Sequence, residues 1–249
     1  SRIFKKAKVP WDRTFFNHEY VEKDYIFKVV KSTELVKFVI YDDYEVFLPL
    51  KKSSLEYSYE DLKEKAKIFY NKVNKIYLFY KKDTTNHRSL MDNLDRWSKL
   101  INQRQRSNIK VVYNNSGSTV NSAVIQGDFL ITGDLSFFAT ENIDEAYYLS
   151  SILNSEITTK QIKIKKSSRH IFKLPFELPI KKFHYADPTH QKLAELGKKA
   201  EIAVKEAINS FSNDYNQTYS KKLIQNKLKM RLKPIMDQIN KLTLAILNA

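Results

Sequence analysis

One stretch of the chain is set apart by its charge. Residues 110–154 read KVVYNNSGSTVNSAVIQGDFLITGDLSFFATENIDEAYYLSSILN and contain no lysine or arginine after Lys110, although the whole chain has 43 of these residues. Residues 160–182 then carry eight basic residues and a single acidic one, Glu177. A neutral, strand-rich block followed by a strongly cationic segment predicts a packed core that presents a basic edge.

The composition supports a folded chain with a polyanionic partner. Apolar residues make up 42% of the 249 residues, and 15 tyrosines and 15 phenylalanines can fill a large core. The formal net charge of +15 favours nucleic acid as that partner. A lysine-rich source proteome would explain the same charge without any such partner.

Several classes of protein are excluded by what the sequence lacks. With no cysteine, the chain has no disulfides, thiolate zinc sites or cysteine nucleophile. No apolar run approaches the length of a membrane span, and the first residues lack a signal-peptide core. We therefore expect a cytoplasmic protein without a membrane partner. The chain begins without Met and in mid-pattern, which predicts part of a longer protein.

Hydrophobic periodicity predicts the elements. Expected strands cover 25–30, 35–41, 45–48, 111–113, 122–125, 129–132, 135–138 and 162–165, and expected helices cover 58–82, 89–103, 143–153, 188–211 and 219–248. Ser58 is the predicted cap of the first helix and Asp187 of the fourth. Pro234 should kink or divide the last helix, and polar residues at 213–216 separate the final pair.

These elements predict an α+β fold with a mixed or mostly antiparallel sheet, flanking helices and a C-terminal antiparallel helical hairpin. A change in composition after the proline-punctuated residues 175–188 predicts two domains. Residues 1–186 would form an α/β DNA-recognition domain, and residues 187–249 a helical hairpin that acts as a spacer, a dimerisation element or a docking surface for a methylase.

Motifs for independent catalysis are missing. The four glycines fit no GxGxxG or Walker pattern, and the five histidines show no metal-ligand spacing. The adjacent acids Asp42 and Asp43 are typical of a turn, and a nuclease site there is the less favoured interpretation. We expect neither a metal nor a catalytic residue, and so no enzyme in this chain alone.

Three polar and basic stretches on predicted loops have the composition of a DNA-contacting surface. Lysine and arginine bind phosphates, while asparagine, glutamine, serine and the same cations reach base edges. The stretches are 86–88, 103–106 and 160–170, and residues 114–116 are a weaker candidate. The predicted DNA-binding residues are Arg88, Arg104, Arg106, Asn114, Asn115, Lys163, Lys165, Lys166, Arg169, His170 and Lys173.

Four segments also carry a resemblance to a known family. KVVYNNSGSTVNSAVI, EAYYLSSILNS, RHIFKLPFELPIKKF and HQKLAELGKKAE occur in that order between Lys110 and Glu201. This order is similar to the C-terminal target-recognition segment of adenine-N6 DNA methyltransferases of the type IIG or N-6 DNA methylase kind. It also resembles half of a type I restriction specificity subunit, although the linker here reads Leu-Pro-Ile without a second proline.

The resemblance implies a domain that reads a short duplex sequence while a methyltransferase catalytic domain, in cis or in trans, flips and methylates an adenine. The motif that holds the flipped adenine needs adjacent prolines, and this chain has none. The glycine-containing loop for S-adenosylmethionine is also missing. The resemblance thus implies no cofactor in this chain and S-adenosylmethionine in the parent enzyme. The alternative is a protein-interaction module whose working surface is the helical hairpin.

Overall fold

The computed structural model of the chain describes residues 9–11, 19–212 and 220–248. The strands are β1 (Ile26–Val30), β2 (Leu35–Val36), β3 (Val39–Ile40), β4 (Tyr44–Phe47), β5 (Ile109–Asn114), β6 (Ser122–Gln126), β7 (Phe129–Ile131) and β8 (Leu135–Thr140). The helices are α1 (Glu64–Tyr80), α2 (Leu90–Leu94), α3 (Ile143–Asn154), α4 (Glu156–Lys165), α5 (Pro188–Ser212) and α6 (Lys221–Asn248). Short sheets with flanking helices and a helical C-terminus confirm the predicted α+β class.

The chain forms two compact units. The first unit consists of Ser1–Phe27 and Glu45–Gln103, and the second consists of Lys28–Tyr44 and Arg104–Ala249. The predicted boundary between residues 186 and 187 does not coincide with this division, because α5 and α6 share one core with α3, β5 and β6. A deletion of the helical hairpin would therefore expose the core of the second unit.

In the first unit, α1 begins later than its sequence pattern predicts. The predicted cap, Ser58, lies before the helix, and the residue at the actual N-cap, Lys63, makes no capping bond through its side chain. The carboxylate of Glu22 accepts hydrogen bonds from the backbone N–H groups of Lys65 and Ala66, at 3.1 and 2.9 Å. A distant acid thus caps this helix, which local sequence could not reveal.

The predicted helix at 89–103 is wrong beyond its first turn. Ser89 caps α2 through a reciprocal capping box with Asp92, but the helix ends at Leu94. The carboxylate of Asp95 then accepts hydrogen bonds from the N–H groups of Leu100 and Ile101, at 2.9 and 2.7 Å. Between them the backbone turns through positive φ at Trp97 and Ser98, which ends helical geometry.

In the second unit, the segment 35–41 that was predicted as one strand forms two short strands joined by a tight turn. β2 and β3 run antiparallel, with Leu35 opposite Ile40. The break is at Phe38, which has a φ of 68° and a buried ring. Because the Phe38 N–H donates to the Ser122 carbonyl at 2.7 Å, the turn is fixed from another strand.

The main sheet of the second unit has the order β6–β5–β8, with both neighbours antiparallel to β5. β7 does not belong to this sheet but pairs in parallel with β1. All six residues of β5 are buried, Lys110 among them. A central strand covered on both faces requires apolar side chains, which explains why the surrounding block is neutral.

Helix α3 packs against α5 at very short range. A Cβ atom on Gly197 would lie 2.4 Å from the Ser151 hydroxyl and 2.7 Å from the Tyr147 carbonyl, so only glycine fits at this crossing. The carboxylate of Asp187 accepts from the N–H groups of Thr189 and His190, which confirms the predicted cap of α5.

The predicted strand at 162–165 is wrong, because these residues are the last turn of α4. Ser155 caps this helix by accepting the N–H of Thr158, and Thr158 donates to the Ile152 carbonyl. Ile162 is buried, whereas 81% of Ile164 is exposed. Alternating Ile and Lys residues are compatible with one helical turn as well as with a strand, so the pattern alone was ambiguous.

The C-terminal helices confirm the predicted hairpin elements. Arg231 of α6 forms an ion pair with Glu206 of α5 at 3.1 Å. Helix α6 continues through Pro234, so the expected division of the last helix at that residue is wrong. The predicted break at 213–216 lies outside the described residues. None of the helices in the described ranges is both long and apolar enough to cross a lipid bilayer.

Candidate nucleic-acid interface

The basic segment after α4 is fastened to the turn between β5 and β6. The N–H of Gly117 donates to the Arg169 carbonyl at 2.9 Å, and the N–H of Ile171 donates to the Asn115 carbonyl at 2.8 Å. The hydroxyl of Tyr113 donates to the Phe172 carbonyl at 2.8 Å. We call residues 163–173, which are the last three residues of α4 and the segment that follows it, the basic loop. These backbone bonds hold it in one conformation against the neutral core.

The side chains of Asn114 and Asn115 are structural. The Asn114 amide donates to the Ser116 and Thr119 carbonyls, and its oxygen accepts from the Asn121 N–H at 2.8 Å. The Asn115 amide donates to the Gly133 carbonyl at 2.9 Å, and its oxygen accepts from the hydroxyl of Ser136. Both residues are buried and internally bonded, so we remove them from the predicted base-reading set.

Six predicted DNA-binding residues lie together in the basic loop. They are Lys163, Lys165, Lys166, Arg169, His170 and Lys173, and all except the half-buried Lys166 are exposed. No acidic residue occurs between Glu156 and Glu177 in sequence, so the loop carries a concentrated positive charge. These six residues lie within residues 163–173, a segment that overlaps the third predicted stretch, 160–170.

The cations of this patch are not equivalent. The ammonium of Lys165 lies 3.6 Å from the Glu177 carboxylate, and that of Lys166 donates to the Gly117 carbonyl at 2.7 Å. Within the described residues, no carboxylate lies within ion-pair distance of Lys163, Arg169 or Lys173. The latter three side chains are therefore the ones best able to bind phosphate without losing an internal partner.

Arg104 and Arg106 lie at the opposite end of β5 from the basic loop. They flank Gln105, whose buried amide bonds the backbone N–H and carbonyl of Ile131, at 3.0 Å each. Since β5 has six residues, its ends are about 17 Å apart at the usual rise of an extended strand. The two arginines and the basic loop do not form one continuous rim.

Arg88 belongs to the first unit, where it is exposed just before α2. Its backbone N–H donates to the Asp92 carboxylate at 2.9 Å. The predicted set thus divides into Arg88, the pair around Gln105, and the basic loop. Within the second unit, the pair around Gln105 and the basic loop lie at opposite ends of β5.

Sequence analysis missed the exposed aromatic rings in the basic loop and in the 3₁₀ turn that follows it. The rings of His170 and Phe172 are stacked with centroids 4.7 Å apart and planes 10° apart. Phe172 is 46% exposed and Phe176 is 61% exposed. Sequence reasoning assigned such rings to the core, because most phenylalanines are buried.

Some lysines are used inside the second unit and do not contribute to its surface. The ammonium of Lys37 donates to the Asn154 carbonyl at the end of α3, and burial lowers the pKa of Lys37 to about 8 although Glu156 opposes the shift. Lys110 is almost fully buried, its ammonium donates to the Ser107 carbonyl, and burial lowers its pKa as well. Net charge therefore overstates the cations that are available to a partner.

The second unit also contains two cavities. An apolar cavity of about 250 Å³ is lined by Val111, Tyr113, Phe138, Leu149, Phe176 and Phe183 among others, with Lys181 and Lys182 also contributing. A more polar cavity of about 370 Å³ includes Asp42, Asp43, Glu201 and Lys205. Within the described ranges, no group of three or more histidines and acids is arranged to hold a metal ion. Asp42 accepts the N–H of Asp43, as residues of a turn do.

No protein-family model and no curated protein matches this chain.

Proposed function

We propose that the second unit binds double-stranded DNA through the basic loop, as the target-recognition domain of an adenine-N6 DNA methyltransferase of a restriction-modification system. The observation that carries the proposal is the attachment of the basic loop to a buried hairpin. Six cationic or titratable side chains occupy eleven residues whose backbone is bonded to Gly117, Asn115 and Tyr113.

Preorganisation is the physical reason for giving this attachment weight. A mobile lysine-rich tail also binds phosphates, but it must lose conformational entropy on binding. The basic loop is already ordered by its bonds to the β5–β6 turn, so its cations keep a fixed spacing. Fixed spacing lets phosphate contacts set the register in which other side chains meet base edges.

The same proposal assigns catalysis elsewhere. S-adenosylmethionine and the transferred methyl group would belong to a methyltransferase domain in cis or in trans, and this chain would contribute recognition of the duplex. Arg104 and Arg106, before the far end of a strand about 17 Å long, would contact a different part of the duplex. A duplex extends about 3.4 Å for each base pair, so such a spacing corresponds to about five base pairs.

The test is the salt dependence of binding to a 20-base-pair duplex. The triple variant Lys163→Gln, Arg169→Gln, Lys173→Gln should reduce the slope of log affinity against log salt by about 3, since each phosphate contact contributes about 0.9. The control variant Lys222→Gln, Lys229→Gln, Lys233→Gln removes the same charge from exposed positions of α6. Equal slopes for the two variants, or no binding by the chain without substitutions, would overturn the proposal.

A further inference from the structure

The backbone at Phe172 is held in a conformation that costs energy. Its φ of 37° lies in the left-handed region, which residues other than glycine rarely occupy. Its N–H approaches the Asn115 carbonyl at 3.4 Å, and its carbonyl accepts the Tyr113 hydroxyl at 2.8 Å. The buried hairpin thus supplies the bonds that maintain this strained turn.

The strain does not serve to bury the Phe172 ring. Phe38 and Leu55 also have positive φ, but their side chains are 2% and 3% exposed and pack in the interior. Phe172, in contrast, remains 46% exposed. A strained residue whose apolar ring stays nearly half exposed gains little core packing, so its conformation calls for another explanation.

The surroundings of the ring match the chemistry of a nucleotide. Phe172 is stacked nearly parallel to His170, and Arg169 and Lys173 are its charged neighbours in sequence. Flat aromatic rings stack on nucleobases of any sequence, while adjacent cations bind the phosphates on either side. The exposed residues next to Phe172 in the loop are Arg169, His170 and Lys173, a set that suits a nucleotide better than an apolar protein surface.

We propose that the stacked pair of Phe172 and His170 is a platform for a single unpaired nucleobase, one that leaves or has left the duplex at the site of binding. This inference rests on the proposed DNA binding and adds the state of the DNA that is preferred. Stacking on a paired base would require a duplex end or an opened step, whereas an extrahelical base offers its face directly.

The experiment compares two 20-base-pair duplexes that differ only in one bulged 2-aminopurine. With the full 249-residue chain, stacking should quench the fluorescence of the bulged base, and the bulged duplex should bind more tightly than the intact one. Phe172→Leu, which keeps an apolar side chain but has no ring, should abolish the quenching. Phe172→Ala should lower affinity for the bulged duplex by between about fivefold and about 150-fold.

The matched control is Phe176→Leu, since Phe176 is 61% exposed but contacts the edge of Tyr113 and not His170. It should retain both the quenching and the preference. His170→Ala gives a second variant that leaves the strained residue in place and should weaken both. Equal binding of the two duplexes without quenching would overturn this inference and leave the proposed duplex binding intact. Absence of all binding would overturn both.

Discussion

Trp97 in the first unit and Phe172 in the second are two aromatic residues exposed at positive φ. Trp97 has a φ of 62° and is 73% exposed, while Phe172 has a φ of 37° and is 46% exposed. Each has two cations nearby in sequence, Arg96 and Lys99 for the tryptophan and the loop cations for the phenylalanine. In each unit, a residue with positive φ therefore exposes an aromatic ring beside positive charge.

The supports of the two turns differ. The Trp97 turn is closed by the carboxylate of Asp95, and the guanidinium of Arg96 already covers the indole with its central carbon 4.1 Å from the ring. The Phe172 turn is closed by neutral groups of a buried hairpin, Tyr113 and Asn115. The acidic support makes the first turn the poorer nucleotide site of the two, because the Asp95 carboxylate repels a phosphate. An exposed aromatic residue at positive φ therefore indicates a nucleotide site only when the groups around its ring also suit a nucleotide.

The largest expected effect comes from removing the buried side-chain bonds of Asn115, the residue whose backbone carbonyl supports the second turn. Asn115→Ala leaves the Gly133 carbonyl and the Ser136 hydroxyl without their partner inside the fold, and should lower the free energy of unfolding by about 2–3 kcal/mol. Asp95→Ala, at a half-exposed site, should cost about 1 kcal/mol because water replaces the lost bonds. Urea denaturation of both variants measures the difference, and an equal or larger loss for Asp95→Ala would break the comparison.

A smaller effect should report the strain itself. At Phe172 and at Trp97, the glycine variant should be more stable than the alanine variant by about 1 kcal/mol, because glycine adopts positive φ without a Cβ clash. Phe176, in a 3₁₀ turn with ordinary backbone angles, should show the reverse order by about 0.5 kcal/mol. Thermal or urea unfolding of the three glycine–alanine pairs provides the measurement. Alanine more stable than glycine at residue 172 would show that the turn is not strained.

The smallest expected effect is a difference between the two units in how their stability changes with pH. Burial lowers the pKa of Lys37 to about 8, so the unfolded chain binds more protons than the folded one above that pH, and stability of the second unit should rise through pH 8–9 by less than about 1 kcal/mol. In the first unit, hydrogen bonds to Asp61 and Asp24 raise the pKa of Lys51 and Lys63, which gives stability that is lost only as pH rises through those higher pKa values.

Hydrogen exchange, corrected for intrinsic rates, resolves this difference unit by unit. Amides of β5 should become more protected between pH 7.5 and pH 9, and Lys37→Met should remove most of that change. A gain of the same size in α1, or no dependence on Lys37 in β5, would contradict the assignment. Burial of Lys110 and Lys221 lowers their pKa values too, so a small residual rise is expected in the Lys37 variant.

Elements with a strong periodic pattern were predictable from sequence. The strands of the neutral block, helix α3, and the helices α5 and α6 lie where their apolar repeats place them, because each repeat buries one side in a shared core. Predictions failed where a distant group decided the backbone. The Ser122 carbonyl fixes the turn at Phe38 and Glu22 caps α1, whereas the turn after α2 is closed by the nearby Asp95.

The basic loop was predictable as a cluster of charge, but the sequence did not show which side chains are available to bind a partner. Sequence alone marked Arg169, His170 and Lys173 together, and it also marked Asn114 and Asn115, whose amides the structure uses internally. The exposure of Phe172 gave no sequence signal, because a phenylalanine flanked by isoleucine and lysine looks like any residue of a half-buried segment.

By itself, the sequence determined the fold class, most of the periodic elements and the place where positive charge is concentrated, since these follow from local composition and repeat. Only the tertiary structure decided which cations face solvent, which asparagines are buried and which aromatic ring is held outward. The reason is that such choices depend on hydrogen bonds between distant residues, such as Tyr113 and Phe172, 59 positions apart. No local sequence pattern indicates a hydrogen bond between residues so far apart in the chain.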